Sequence, residues 1–177
     1  MLDGTSRVNY GEVEVINKLL DLFEENESYS AYLSHFSRDE DKQIGVISFY
    51  GKQIKQLRRV ANNHKKIPIR VSTVDRFQGM ERNIVIVSMV RSNTIQSIIG
   101  QRPDYRRYPK LGYPKQQSLG FAQSPNRLNV ALSRARRLLI IVGNRELFST
   151  RDIYRRLFDT IDANSNNVVV SQNEILS

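Results

Sequence analysis

Apolar positions in this chain follow two patterns. One is helical spacing. Val13, Ile16, Leu19, Leu20 and Phe23 recur at three- and four-residue intervals, and Asn9 stands three residues before Glu12 in a capping-box arrangement. A helix over about Tyr10–Glu25 follows. Ile54, Leu57, Val60 and Ala61 repeat the pattern to about Asn63, and Ile153, Leu157, Phe158 and Ile161 repeat it near the end, with Thr150 as the expected cap. The second pattern is the continuous apolar run, as in Ile44–Phe49, Ile67–Thr73, Asn83–Val90 and Leu138–Gly143. Such runs belong to strands buried on both faces of a parallel sheet. Pro68 sits at the start of its strand, where a missing donor is tolerated. Strand, helix and strand joined by short links predict an α/β fold with crossover connections.

Four stretches fit less well. Tyr29–Phe36 is a weak helix candidate, and Arg38–Lys42 reads as an exposed charged turn rather than a metal cluster. Asp75–Glu81 is short and polar. Residues 91–123 hold three of the five prolines and little periodicity. This last span carries Arg102, Arg106, Arg107, Lys110 and Lys115 interleaved with Tyr105, Tyr108 and Tyr113. Cations meeting phosphates and rings stacking on bases suit single-stranded nucleic acid. A surface excursion without such a role is the other reading. Val168–Val170 is expected to be a short terminal strand, and Ser124–Arg137 a helix that displays arginines on a defined face before the strand that follows it.

Composition narrows the partner. The chain carries 27 Lys and Arg against 18 Asp and Glu, a formal charge of +9, which favours a polyanion. It has no cysteine, which excludes disulfides and thiolate chemistry. The two histidines, His35 and His64, are expected at the surface. No membrane span or signal peptide is recognisable, so an intracellular location, cytoplasmic or nuclear, is expected.

Several chemistries fail on spacing. Gly45 and Gly51-Lys52 have five intervening residues and no following Ser or Thr, so they do not form a phosphate-wrapping P-loop. No apolar strand ends in an acidic pair that would hold Mg²⁺. Pro103-Asp104 lacks the acid-x-Lys expected of a nuclease, and two isolated histidines give no Ser/His/Asp triad. No metal site is expected. The blocks Ile44–Gln53, Val71–Glu81 and Gly120–Arg137 remain, each assigned at or near a strand's C-terminal end, where open α/β sheets place ligands.

These blocks carry a resemblance. Val71-Ser-Thr-Val-Asp-Arg-Phe-Gln-Gly-Met-Glu81, followed by Ile84–Asn93, resembles motif V of superfamily 1B helicases, in the branch of the nonsense-mediated-decay helicase and its Dna-type relatives. Gly120-Phe121 and Pro125–Arg136, with Leu138–Asn144, resemble motif VI and its following strand. Ile44–Tyr50 with Gln53 resembles motif IV, and Ser6-x-x-Asn9-x-x-Glu12 resembles the entry to the family's second lobe. The blocks occur in family order over about residues 6–145.

The resemblance implies a RecA-like parallel sheet of the P-loop NTPase type that lacks its own P-loop. Residues 1–177 would form the second lobe of a two-lobed motor, with motif IV at about 44–53, motif V at about 71–81, motif VI at about 120–137 and an insertion-like loop at 91–123. ATP and Mg²⁺ would be held mainly by a first lobe. Arg134 matches the arginine-finger position, and Arg127, seven residues earlier on the expected helix, would support it. Arg136 would point away and be structural or solvated. Gln78, Gly79 and Glu81 match the segment facing the nucleotide. Gly79 would admit close backbone approach. Glu81 would accept from a ribose hydroxyl or pair with a cleft arginine, unless it forms an ordinary salt bridge. Thr73 and Ser48 match positions that hydrogen-bond the phosphates of a bound strand; Ser48 replaces the usual Thr. Arg106, Arg107 and Tyr108 are further candidates for that strand. Asp75 is expected to cap the Arg76–Gly79 turn, and Phe49 and Tyr50 are equally core or stacking residues. Arg76 and Met80 depart from the small and basic residues common in relatives. The implied activity is that of an ATP-dependent helicase or translocase acting on single-stranded DNA or RNA, with the isolated chain inactive. The alternative is a stand-alone nucleic-acid-binding or adaptor module without ATPase activity.

Overall fold

A computed structural model describes residues 7–34, 43–91, 119, 122 and 124–177. Arg106, Arg107, Tyr108 and His35 lie outside the described residues, as does most of the 91–123 span. Four strands, β1 (Ile44–Ser48), β2 (Ile69–Thr73), β3 (Arg82–Ser88) and β4 (Ala135–Val142), form one parallel sheet in the order β2-β1-β3-β4. The helices are α1 (Tyr10–Glu25), α2 (Glu27–Ser34), α3 (Gly51–Ala61), α4 (Pro125–Leu132), α5 (Arg145–Phe148), α6 (Asp152–Asp162) and α7 (Gln172–Leu176). A 3₁₀ turn, Asp75–Phe77, lies between β2 and β3.

Both faces of the sheet are covered, which explains the continuous apolar strands. Ile44 and Val46 of β1 and Ile84 and Ile86 of β3 pack against Ile16 and Leu20 of α1 and Ile54 and Leu57 of α3. Their neighbours Ile47, Val85 and Val87 face the opposite way. They meet Phe77 of the turn, Leu128 and Ala131 of α4, Leu147 and Phe148 of α5, and Tyr154 of α6. A strand whose alternate residues enter two different cores cannot show polar alternation. Phe49 and Tyr50 belong to the core rather than to an open stacking surface.

Register aligns the C-terminal ends of the strands. Ser48 pairs with Thr73 on one side and Ser88 on the other, and Ser88 pairs with Val142. Three hydroxyl residues therefore stand in a row at the C-terminal ends of β2, β1 and β3. From there the chain after β2 crosses β1 with only the 3₁₀ turn and reaches the start of β3. Phe77 lies so close over β1 that a Cβ on Gly45 would come within 2.6 Å of its ring, so glycine is required there.

Four expectations are corrected. The arginine-bearing helix stops at Leu132 and β4 begins at Ala135, so Arg134 lies in the intervening turn. Val168–Val170 is not a strand; it is an exposed connection, with Val168 80% exposed. Thr150 does not cap α6; its hydroxyl donates to the Leu147 carbonyl at the end of α5 (2.7 Å), and Arg151 occupies the cap position of α6. His64 is buried. Its Nδ1 lies 3.0 Å from Glu24 Oε2 and its Nε2 3.2 Å from Asn17 Oδ1, so it ties α1 to the end of α3.

Candidate functional site

Arg127 and Asp75 join the two blocks that carry most of the candidate residues. Ser124 caps α4 by accepting from the Arg127 amide, and Pro125 occupies the first turn, where its missing N–H is harmless. Arg127 thereby emerges at the start of α4, facing the 3₁₀ turn. Its Nε and Nη2 donate to the two carboxylate oxygens of Asp75 at 2.9 and 3.0 Å. This planar fork fixes orientation as well as distance. Asp75 is thus a clasp for α4 rather than the expected cap of its own turn.

At the other end of the crossover Glu81 accepts from Arg136 Nε at 3.0 Å. Both side chains are about half exposed, so the pair locates the two segments more than it stabilises them. Arg136 is therefore partnered, and Glu81 forms an exposed salt bridge with it. Arg134 lies between these clasps. Its Nε donates to the Val130 carbonyl at 3.0 Å, and its Nη2 donates to the Ser133 hydroxyl at 2.8 Å. A guanidinium suits this place because the final carbonyls of α4 lack intrahelical donors and carry the negative end of the helix dipole.

Gly79 adopts φ +80°, and nothing lies within 4 Å of where its Cβ would stand. A side chain there would be strained by the backbone alone, although the space above is open. Gln78 is exposed beside it. The site residues are not gathered at the C-terminal sheet edge as expected. They form a strip across one face, from Thr73 past Asp75–Arg127 and Gly79 to Glu81–Arg136 and Arg134. Glu81 and Arg134 precede β3 and β4, and the Arg134 carbonyl accepts from the Arg82 amide that opens β3 (2.9 Å).

Ser48 needs a correction of a different kind. It has 0% exposure, and its hydroxyl is buried without a hydrogen-bond partner. A side chain held under the helices cannot touch a strand at the surface. Thr73, next to it in register, is partly exposed and keeps that possibility.

A buried polar network lies behind the hydroxyl row. Asn9 Oδ1 accepts from the Glu12 amide at 3.2 Å, which is half of a capping box. The other half is replaced: the Asn9 amide donates to Gln53 Oε1 at 2.9 Å, and the Glu12 carboxylate turns inward. It accepts from Ser88 Oγ at 2.6 Å, the Val90 amide at 2.8 and 2.9 Å, and Asn9 Nδ2 at 3.1 Å. Gln53 Nε2 donates to Ser88 Oγ at 2.9 Å. Burial pushes the Glu12 carboxyl up from 4.5 to about 7 despite those donors. Val90 sits at φ +73°, unusual for a β-branched residue, and both Glu12 oxygens hold its amide there. The next residue, Arg91, donates through Nε to the Tyr50 hydroxyl at 3.1 Å and lies over its ring. The network therefore sets how the chain leaves β3. The only signal for Glu12 was its cap spacing.

Among the described residues, no group of three or more His, Cys, Asp or Glu could hold a metal ion. No helix among them is long and apolar enough to cross a membrane.

The family model AAA_12, an AAA domain, matches residues 2–146. The chain belongs to this family. It is 39% identical over 115 residues, 65% of the chain, to a protein named probable RNA helicase armi from Drosophila melanogaster. It is 34% identical over 143 residues, 80% of the chain, to the DNA polymerase alpha-associated DNA helicase A of Saccharomyces cerevisiae. It is 33% identical over 154 residues, 87% of the chain, to regulator of nonsense transcripts 1 of Dictyostelium discoideum. These alignments cover 8%, 16% and 10% of the respective relatives, so the chain spans a small part of their length. The superfamily 1 helicase resemblance and the RecA-like α/β fold both stand.

Proposed function

We propose that this chain, residues 1–177, is the second RecA-like lobe of an ATP-dependent nucleic-acid helicase or translocase, and that a P-loop lobe of the same parent protein completes its active site. The observation that carries the reading is the pair of clasps, Asp75–Arg127 and Glu81–Arg136, which bind the motif V crossover to both ends of the motif VI segment. Gly79 and Arg134 lie on the strip that these clasps define. ATP supplies the phosphoryl group whose transfer drives the motor. The first lobe holds most of it, together with Mg²⁺.

In this reading closure of the lobes carries Arg134 off the Val130 carbonyl and the Ser133 hydroxyl to the γ-phosphoryl oxygens. An always-charged fork there neutralises charge that spreads in the transition state. Arg127 stays on Asp75 and keeps α4 aligned. Gln78 and Gly79 line the nucleotide's approach, and Glu81 holds Arg136 or accepts from a ribose hydroxyl. Thr73 donates to a phosphate of the bound single strand, DNA or RNA, a contact that positions the strand without reading sequence. Arg106, Arg107 and Tyr108 extend that grip. Ser48, having no exposure, supports the Thr73 end of β2 from within.

The test is Arg134→Ala in the parent protein. ATPase turnover falls by roughly 10³-fold, the lower end of what arginine fingers contribute, while single-strand binding without nucleotide is retained. Near-normal turnover would remove Arg134 from the role. The isolated chain, lacking a P-loop, shows no Mg²⁺-dependent turnover above background.

A further inference from the structure

β2 is an edge strand of the described sheet. Ile44 donates to the Pro68 carbonyl and Val74 donates to the Ser48 carbonyl. Hydrogen bonds alternate along a parallel ladder, so Pro68, Arg70, Ser72 and Val74 face β1, while Ile69, Val71 and Thr73 direct their backbone groups outward. Outside this edge runs a groove of about 350 Å³, closed on its far side by the end of α3. Arg58 of α3, Asn62 just after it, Arg70 and Ser72 of β2, and Arg76 of the 3₁₀ turn line it, and no acidic residue does.

Its chemistry is that of an anion channel rather than of a strand-pairing edge. Arg58 Nε donates to the outward Val71 carbonyl at 3.4 Å, which occupies an acceptor that an added β-strand would need. The groove is left rich in donors: outward amides and three guanidiniums. All three arginines are exposed, and neither Arg70 nor Arg76 has an ion-pair partner among the described residues. The groove also begins where the proposed strand contact ends, because Arg76 follows Thr73 by three residues. A slot between one strand edge and one helix end has the shape of a single phosphodiester chain rather than a duplex.

We infer that this groove carries the sugar-phosphate backbone of single-stranded nucleic acid beyond Thr73, with Arg58, Arg70 and Arg76 as its phosphate contacts. The inference rests on the reading that the chain binds a single strand. The alternative polyanion, an acidic peptide, would have to forgo pairing with the Val71 carbonyl or displace Arg58.

The experiment measures binding of a labelled 12-nucleotide oligothymidine to the 177-residue chain by fluorescence anisotropy across a salt series. The R58Q/R70Q/R76Q variant is compared with a control of equal charge loss at the start of α6, R151Q/R155Q/R156Q, away from the groove lining. Thermal unfolding verifies that each folds. Each single-strand phosphate contact contributes a slope of about 0.7 in log K against log salt, so losing three lowers the slope by about 2. The groove variant is expected to show that loss, and the control a much smaller one. Equal slope changes in both variants, or no change in either, overturn the groove assignment while leaving strand binding intact. No binding by the unsubstituted chain overturns both readings. An acidic 12-residue peptide that binds the chain and loses affinity in the groove variant, with oligothymidine binding unaltered, assigns the groove to a peptide and overturns the inference.

Discussion

Glu12 makes the sharpest demand on the structure. It is a carboxyl group with 5% exposure, and the Ser88 hydroxyl, the Val90 amide and Asn9 Nδ2 all donate to it, which favours the charged form that burial opposes. Burial outweighs those donors and moves the group from 4.5 to about 7. A carboxyl raised in the folded state binds more protons there than in the unfolded chain throughout the interval between the two values. Its contribution to stability is therefore fully present below about pH 4.5 and is lost as pH rises through 7. Each unit corresponds to about 1.4 kcal/mol, so the interval represents about 3 kcal/mol.

Glu12→Gln removes the titration and retains most of the shape. The amide oxygen still accepts from the Val90 amide, and the amide nitrogen can donate to Ser88 Oγ. Urea unfolding of both proteins at pH 5 and pH 8 isolates the term, because every other titrating group cancels in the difference. The variant is expected to lie near the unsubstituted protein at pH 5 and to gain on it by about 2–3 kcal/mol at pH 8. Glu12→Ala should behave differently. It leaves the Val90 amide buried without an acceptor and releases a residue held at positive φ, a loss of about 2–4 kcal/mol at pH 5. Parallel stability curves for the protein and Glu12→Gln between pH 5 and pH 8 would refute the reasoning, since Glu12 would then be titrating at its ordinary value.

Two further predictions concern packing and the clasp. A Cβ on Gly143 would lie 2.8 Å from Met89 Cβ, so Gly143→Ala must displace β4 from the end of β3; a loss of about 1–3 kcal/mol in urea unfolding is expected, and an unchanged midpoint would contradict the geometry. In a double-mutant cycle of Asp75→Asn and Arg127→Gln, the half-exposed pair is expected to give a coupling of no more than about 1 kcal/mol in stability. In the parent protein the same substitutions should reduce ATPase turnover well beyond that energy, because a loosened α4 misplaces Arg134. Turnover that only tracks the stability change would make the clasp purely structural.

The α1, α3 and strand assignments were legible because burial repeats along the sequence. Ile44–Ile47 and Ile84–Val87 alternate between two cores and therefore read as apolar runs. The boundary between α4 and β4 was not legible. Leu128 and Ala131 keep helical spacing, and the basic residues that follow are compatible with a solvated helical face. The structure instead places a ladder irregularity there: Arg82 pairs with Ala135 but Ile84 pairs with Leu138, so β4 has one more residue than β3 over that interval. An extra residue at an exposed strand start leaves no periodic mark. The seven-residue spacing that seemed to align Arg127 with Arg134 thus has no helix beneath it. Arg127 is held by Asp75, and the Arg134 backbone is held by the Arg82 amide, so both positions depend on partners far away in sequence.

Glu12 shows the same limit in a local motif. Asn-x-x-Glu at a helix start specifies that the Asn side chain caps the Glu amide, and that bond forms. The direction of the Glu carboxylate depends on what stands at the ends of the neighbouring strands. Here Ser88 and the Val90 amide are donors at hydrogen-bond distance, while Gln53 occupies the Asn9 amide that the carboxylate would otherwise accept from. A residue legible only by its cap spacing is therefore a buried carboxyl group in the network that joins α1, α3 and β3. Its effect extends through Val90 to Arg91, whose side chain lies on Tyr50.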